Sequence, residues 1–277
     1  MNIKTIPNCY VAVFDILGFS NLVRNSSHVD LVSFYKGFTE NVINSVAKYQ
    51  FKKETTSSGT TFNQDLSRTL VNSLVISDSV VLWTDNDNVN CFYDILLTSW
   101  HMLAFGIFTA SPLRGVITHG SISLIDARIS SNADNRHSTF FGKTIVEAYQ
   151  LEKTQDWSGG IITDVCIAQY EKVFNNEMPN SSDPNRFSRA LSIIALEKRG
   201  YIVKYVVPMK NNTQSSMYAI NWPRLYNPKL EERTIRSSFT RNIKELDECS
   251  KTKMENTVAF WKLTPEGNRD EESWKRN

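Results

Sequence analysis

Two aspartates stand where a chain could do phosphate chemistry. The run CYVAVF, from Cys9 to Phe14, is apolar, β-branched and aromatic, the mark of a buried strand, and it stops at Asp15 with Gly18 just beyond. Farther on, LVNSLVISDSVVLW has the pattern of two strands meeting in a tight turn around Ser77 and Asp78. Carboxylates delivered from two strand ends make a natural seat for a pair of hard divalent cations, Mg²⁺ or Mn²⁺, which prefer oxygen ligands and bridge polyphosphate oxygens. One ion can lower the pKa of an attacking 3′-hydroxyl while the other holds departing pyrophosphate, which is the requirement for cyclising a nucleotide. Within the segment from Asp15 to Ser20, Gly18 lets the backbone turn closely. A helix beginning near Phe19 would aim its free N–H groups at phosphates.

An acid at a strand end followed by glycine is, in most proteins, only a turn, so the surrounding elements matter. Leu31, Phe34, Tyr35, Phe38, Val42 and Val46 recur at helical spacing and predict an amphipathic helix over one face of a sheet. Thr55 to Ser67 is rich in Ser, Thr and Asn and reads as a loop. Val89 to Thr109 reads as a second helix, and Leu113 to Ile125 as two short strands or one bent strand interrupted by Gly115 and Gly120. The polar segment from Ser130 to Ser138 reads as a surface loop. Gly142 opens a helix through KTIVEAYQLEK, and Gly159-Gly160 separates it from the strand-like Ile161 to Thr163. The order is β, α, β-hairpin, α, β, α, β, an α+β class. Tyr201 to Val207 and Met217 to Trp222 look like strands, and Pro228 to Ser250 and Lys253 to Leu263 look helical. Residues 1–190 are expected to carry the catalytic domain, and residues 191–277 a C-terminal extension packing on or next to it.

Composition narrows the partners. A formal net charge of +2, with Lys and Arg scattered along the chain, offers no track for nucleic acid and suits a small anionic ligand. Cys9, Cys91, Cys166 and Cys249 lie far apart, at neither metal-ligand nor disulfide-framework spacing. No charged-then-apolar leader opens the chain, and no apolar run is expected to reach the roughly 18 to 20 residues of a membrane span. A cytoplasmic location without membrane attachment is the expectation.

The segments VAVFDILGFSNLV, ISDSVVLW, LRGVITHG and FGKTIVEAYQLE, in that order, resemble the successive motifs of the class III nucleotidyl cyclase catalytic domain, over roughly residues 8 to 165. The resemblance implies a βαββαβ core, ferredoxin-like and similar to the polymerase palm, working as a homodimer with active sites at the subunit interface. It further implies that Asp15 and Asp78 hold two divalent ions, with the Ile16 carbonyl as a further ligand. Backbone from Leu17 through Gly18 and Phe19 to Ser20 would then hold phosphates.

The departures from that family pattern are specific. Where adenylyl cyclases carry a base-reading lysine and its partner aspartate, this chain has Leu74 and Thr139, and the glutamate of guanylyl cyclases is also missing. A site without those polar readers has no means of favouring a purine. The chain is most similar to bacterial antiphage pyrimidine cyclases of the Pycsar type, which implies UTP or CTP as substrate. Cyclic UMP or cyclic CMP would then be the messenger for a separate effector. The family's transition-state Asn and Arg fall on Val146 and Gln150, so another cation is needed: Arg114 is the candidate, Lys143 a weaker one, with Glu147 able to orient either. Two alternatives stay open: a catalytically silent cyclase-like regulator, and a purine cyclase reading its base through backbone or through Asn72 and Ser73. His119, Trp83, Trp100 and Trp157 are expected to pack rather than to catalyse.

Overall fold

Strand β1 (Asn2–Ile16) organises the molecule because its apolar stretch has no polar face to offer solvent. From Cys9 to Phe14 every side chain is buried, as expected of a strand covered on both faces. The computed structural model describes residues 2–56, 59–128, 136–177, 191–210, 213–225, 230–240 and 246–263. After β1 come α1 (Phe19–Asn25), α2 (His28–Val46), the hairpin β2 (Phe51–Thr56) and β3 (Gly59–Gln64), then β4 (Val71–Ile76), β5 (Ser79–Thr84) and α3 (Val89–Phe108). The chain continues through β6 (Leu113–Arg128), β7 (Arg136–Phe141), α4 (Lys143–Thr154), β8 (Gly159–Ile162) and α5 (Asp164–Glu177). It closes with α6 (Ile193–Lys198), β9 (Ile202–Pro208), β10 (Gln214–Ile220), α7 (Glu232–Thr240) and α8 (Glu248–Leu263).

The main sheet runs β4-β5-β1-β6-β8-β10-β9, with β7 pairing on β6. β1 is antiparallel to both neighbours, and β6 and β8 are parallel, as a helical crossover through α4 requires. The expected βαββαβ order is present in β1, α2, β4, β5, α3 and β6, and the class is α+β. Residues Leu113 to Ile125 form one strand rather than two.

Helices cover the two faces. On one, the Tyr10 ring meets Phe92 of α3 edge-on at 5.3 Å. On that face Phe14 lies over Gly115, where a Cβ would come within 2.1 Å of the ring. On the other, α4 lies so close to β6 that a Cβ at Gly120 would sit 2.2 Å from the Thr144 hydroxyl. This second face carries Val13 and Asp15.

Three expectations need correction. The segment from Thr55 to Ser67 is not a loop: much of it is the β2–β3 hairpin, whose side chains are mostly exposed on both faces, so no apolar alternation marks it. Helix α3 is 20 residues long and, by length and composition, apolar enough to cross a membrane, contrary to the expectation that no run would reach that length. Its most apolar window is 78% buried, because α3 is the core helix against which the sheet, α2 and α7 pack. The helix expected from Pro228 to Ser250 is α7 plus the start of α8; residues 226–229 and 241–245 lie outside the described residues.

Of the polar segment expected as a loop, residues 130–135 lie outside the described residues and Arg136 to Ser138 belong to β7. The expected domain boundary at residue 190 ends an undescribed stretch, residues 178–190. Beyond it, β10 pairs with β8 and β9 is the outer strand. Phe260 of α8 packs edge-on against the fully buried Trp157, with ring centroids 4.7 Å apart. All four cysteines are free.

Candidate functional site

The β1–β5 register places Asp15 directly opposite Ser79, the residue after Asp78. The Ile16 N–H donates to the Asp78 carbonyl at 2.9 Å, fixing the hairpin turn against the end of β1. Ser77 makes that turn possible with a left-handed φ of 54°, a conformation costing a side-chain-bearing residue about 1–2 kcal/mol. The Leu17 N–H donates to the Pro112 carbonyl, also at 2.9 Å, so the chain leaving β1 is tied to the connection from α3 to β6. Asp15 and Asp78 are thereby brought to one end of the sheet.

The carboxyl of Asp15 is pushed up to about 7, first by burial and then by the negative charges of Glu152 and Asp78; Arg114 and the Ser79 hydroxyl oppose the shift. A site with that surplus of negative charge suits a cation. The oxygen donors are of the hard type that Mg²⁺ and Mn²⁺ prefer, and one oxygen of Glu152, Oε2, is buried without a partner. Among the described residues no cluster of three or more His, Cys, Asp or Glu side chains is placed to hold a metal. Ions here would rest on the two aspartates, backbone carbonyls such as that of Ile16, and oxygens of a bound substrate.

Arg114 faces Asp15 in register across β1 and β6, but it is not a free cation. It is only 5% exposed; its Nε–H donates to Glu152 and its Nη1 to the Gln155 carbonyl at 2.8 Å. Gln155 in turn donates to the Gly115 carbonyl at 3.1 Å and accepts from the Trp157 indole at 2.9 Å. The candidate catalytic arginine is therefore committed to a structural network beside the aspartates. Glu152 escaped the sequence reading, although a signal existed: the buried positions of α4 are Thr144, Ala148 and Glu152, four residues apart, and a glutamate on such a stripe demands a buried partner.

Gly18 caps α1 with a φ of 76°, and no side chain caps the helix, so the N–H groups of Phe19 and Ser20 open the turn beside the aspartates. The Phe19 ring leans on Tyr35 of α2. Leu74 stands opposite Val81, itself opposite Val13, which puts Leu74 on the same face as Asp15. Thr139 is not brought near: it pairs with Ile125, 11 residues along β6 from Arg114, a separation on the order of 35 Å in an extended strand. Lys143 is also remote. It begins α4, whose opposite end carries Glu152, and its ammonium pairs with Glu147 at 3.3 Å on the surface, away from the aspartates of its own chain. Val146 and Gln150 are both exposed on α4. His119 bonds Asp87 at 3.1 Å and meets the Tyr10 ring edge-on, five residues along β6 from Arg114 and on the opposite face of the sheet from Asp15. Trp83, Trp100 and Trp157 all serve in packing.

No protein-family model matches the chain, and no curated protein is similar to it in sequence. Among solved structures, it is similar to the catalytic core of a rhodopsin-guanylyl cyclase with converted specificity, in complex with ATPalphaS. The identity is 11%, the coverage 80% of this chain and 98% of that one, and the TM-score 0.48. It is similar also to the guanylate cyclase domain of RhGC from Catenaria anguillulae in complex with GTP, at 12% identity, 78% and 97% coverage and a TM-score of 0.47. A third is the adenylyl cyclase CyaB from P. aeruginosa, at 13% identity, 79% and 96% coverage and a TM-score of 0.42. At such identities and scores these likenesses establish no family for the chain.

Proposed function

We propose that this chain is a nucleotide cyclase that closes a pyrimidine nucleoside triphosphate, UTP or CTP, into its 3′,5′-cyclic monophosphate with release of pyrophosphate. The observation that carries the reading is the meeting of Asp15 and Asp78 at one sheet end through the Ile16 to Asp78 hydrogen bond. The sequence motifs around both aspartates supply its second support.

Asp15, Asp78 and the Ile16 carbonyl would hold two divalent ions, Mn²⁺ or Mg²⁺, whose chemistry is to acidify the 3′-hydroxyl and neutralise the departing pyrophosphate. Gly18, Phe19 and Ser20 would bind and orient the triphosphate through backbone N–H groups, with Leu17, whose N–H is taken by the Pro112 carbonyl, fixing the start of that segment. The 3′-oxygen then bonds to the α-phosphorus, the bond to the β-phosphate oxygen breaks, and the hydroxyl proton leaves to water. Leu74, apolar on the Asp15 face, offers a purine no hydrogen bond, so the site lacks the polar reader by which a purine would be preferred. The Arg114–Glu152 pair holds α4 against the end of β6 and so keeps the floor of the site rigid.

A homodimer follows from the same reading. Thr139 reaches a base only from a second copy, since its own Asp15 lies at the other end of β6. Ile76, on the Asp15 face, and Val146 and Tyr149, on the outer side of α4, are exposed apolar side chains that a second copy would cover. The product would act through a separate effector in antiphage defence. A cytoplasmic location accords with the free cysteines.

The test is incubation of purified protein with Mn²⁺ and each of ATP, GTP, CTP and UTP, with products identified by mass and Asp15→Ala run alongside. A cyclic pyrimidine product lost in Asp15→Ala supports the reading, whereas a cyclic purine product alone would refute the base assignment. One observation favours a second reading, a silent cyclase-like regulator: Arg114 is locked to Glu152, and the exposed positions 146 and 150 carry Val and Gln. Absence of any cyclic product from the dimer would put that reading first.

A further inference from the structure

The β4–β5 hairpin has a second side. Ser73, Val75 and Ser77 alternate with Leu74 and Ile76, so they face away from Asp15 and toward α2. There α2 presents Tyr35, Thr39, Val42 and Ile43, Leu74 reaches the same space from the strand edge, and the solvent-open groove between helix and strand measures about 440 Å³. Small-molecule sites typically span roughly 300–1,000 Å³.

The strand wall of this cavity is chemically open. β4 is an outer strand, and among the described residues only β5 pairs with it. Ile76 and Ser79 close the two-residue turn as a hydrogen-bonded pair, so by the alternation of an antiparallel ladder the N–H and C=O groups of Ser73 and Val75 point away from β5. Outward donors and acceptors along such an edge match a ring that carries an N–H beside a C=O. The Thr39 and Ser73 hydroxyls add adaptable partners, and among the described residues no charged side chain lines the space. The Tyr35 hydroxyl is bonded to Ser77 at the end nearest Asp78, whose negative charge turns an anion away from that mouth.

We propose that the cleft between α2 and β4 binds a neutral heterocycle of nucleobase size, held edge-on by the backbone of Ser73 and Val75 and by the hydroxyls of Thr39 and Ser73. The site lies on the α2 side of β4, touching the Asp15 face only through Leu74, and needs no metal.

The experiment uses the full chain in EDTA with uridine and adenosine as probes, followed by saturation-transfer NMR. Neither probe carries a phosphate, so failure here leaves the cyclase reading to its own product assay. Uridine is expected to saturate the wild type and Asp15→Asn alike, and to bind at least tenfold more weakly to Thr39→Trp, which fills the cleft from an exposed helix position. Ser73→Leu, read the same way, serves as the second variant should Thr39→Trp lose its cooperative thermal unfolding. Two results overturn the proposal: no saturable binding of either nucleoside, or binding that survives both cleft variants and disappears in Asp15→Asn.

Discussion

Arg114 stands opposite Asp15 across the central strand pair yet gives its Nε–H to Glu152, which is fully buried on α4. The guanidinium is neutralised from behind, and the end of the sheet keeps the net negative charge of Asp15 and Asp78.

The first prediction concerns that pair. Glu152→Gln keeps an acceptor for Arg114 but removes the countercharge, so the guanidinium acts undiminished on Asp15. Mn²⁺ affinity should fall by about tenfold, the effect of roughly 1.4 kcal/mol of added repulsion. A manganese titration followed by electron paramagnetic resonance measures it, and unchanged affinity would show that the pair does not tune the site. Glu152→Ala, by contrast, strands a buried arginine and should cost about 3–5 kcal/mol in urea unfolding.

A second prediction uses the raised pKa of Asp15. Its carboxyl titrates near 7 in the folded chain against a reference of 3.8. Between those values the folded state binds a proton that the unfolded state has lost, so this group's contribution to stability is full below about pH 4 and is lost as pH rises through 7. In EDTA, the stability of wild type relative to Asp15→Asn should therefore decline from pH 4 to pH 7. Urea midpoints at intervals across that range decide it; a difference that is flat or rises with pH contradicts the assignment.

His101 carries the opposite sign. Burial, aided by the Lys48 charge, lowers it from 6.5 to about 4, so it stays neutral in the fold while the unfolded chain takes up a proton below about 6.5. Its contribution is full above that pH and is lost as pH falls through 4. His101→Phe should flatten the acid limb of the stability profile, measured with the same urea midpoints against wild type.

What could be foreseen divides along physical lines. The apolar run before Asp15 and the turn at Ser77-Asp78 were legible because burial and turn chemistry act on neighbouring residues. The partners of Arg114 were not, since Glu152 lies 38 positions away and meets it only after α4 crosses over the sheet. The β2–β3 hairpin hid for a different reason: strands exposed on both faces carry no alternation to detect. Proximity in sequence to Gly142 likewise says nothing about which end of α4 lies beside Asp15: Glu152 does, and Lys143 begins the other end.

Gly115 carries the next prediction. A Cβ there would meet the Phe14 ring at 2.1 Å and the Val13 carbonyl oxygen at 2.7 Å, both on the strand that carries Asp15. Backbone and a fully buried ring must move together, so Gly115→Ala should destabilise by about 1–3 kcal/mol or more. Its cyclase activity should fall further than folded fraction alone explains, because displacing β1 shifts Asp15. Activity per folded molecule, with the folded fraction taken from circular dichroism, separates the two effects.

The last prediction addresses the second copy. Val146 is 55% exposed on α4, so Val146→Asp should leave monomer stability within about 0.5 kcal/mol. If α4 lies in the subunit interface, a carboxylate there must be desolvated on association, and dimerisation should weaken at least tenfold in sedimentation equilibrium. Activity per chain should then become steeply concentration-dependent, recovering at high protein where the dimer reforms. A variant that stays dimeric with full activity at every concentration would place the interface elsewhere and remove the route by which Thr139 reaches the site.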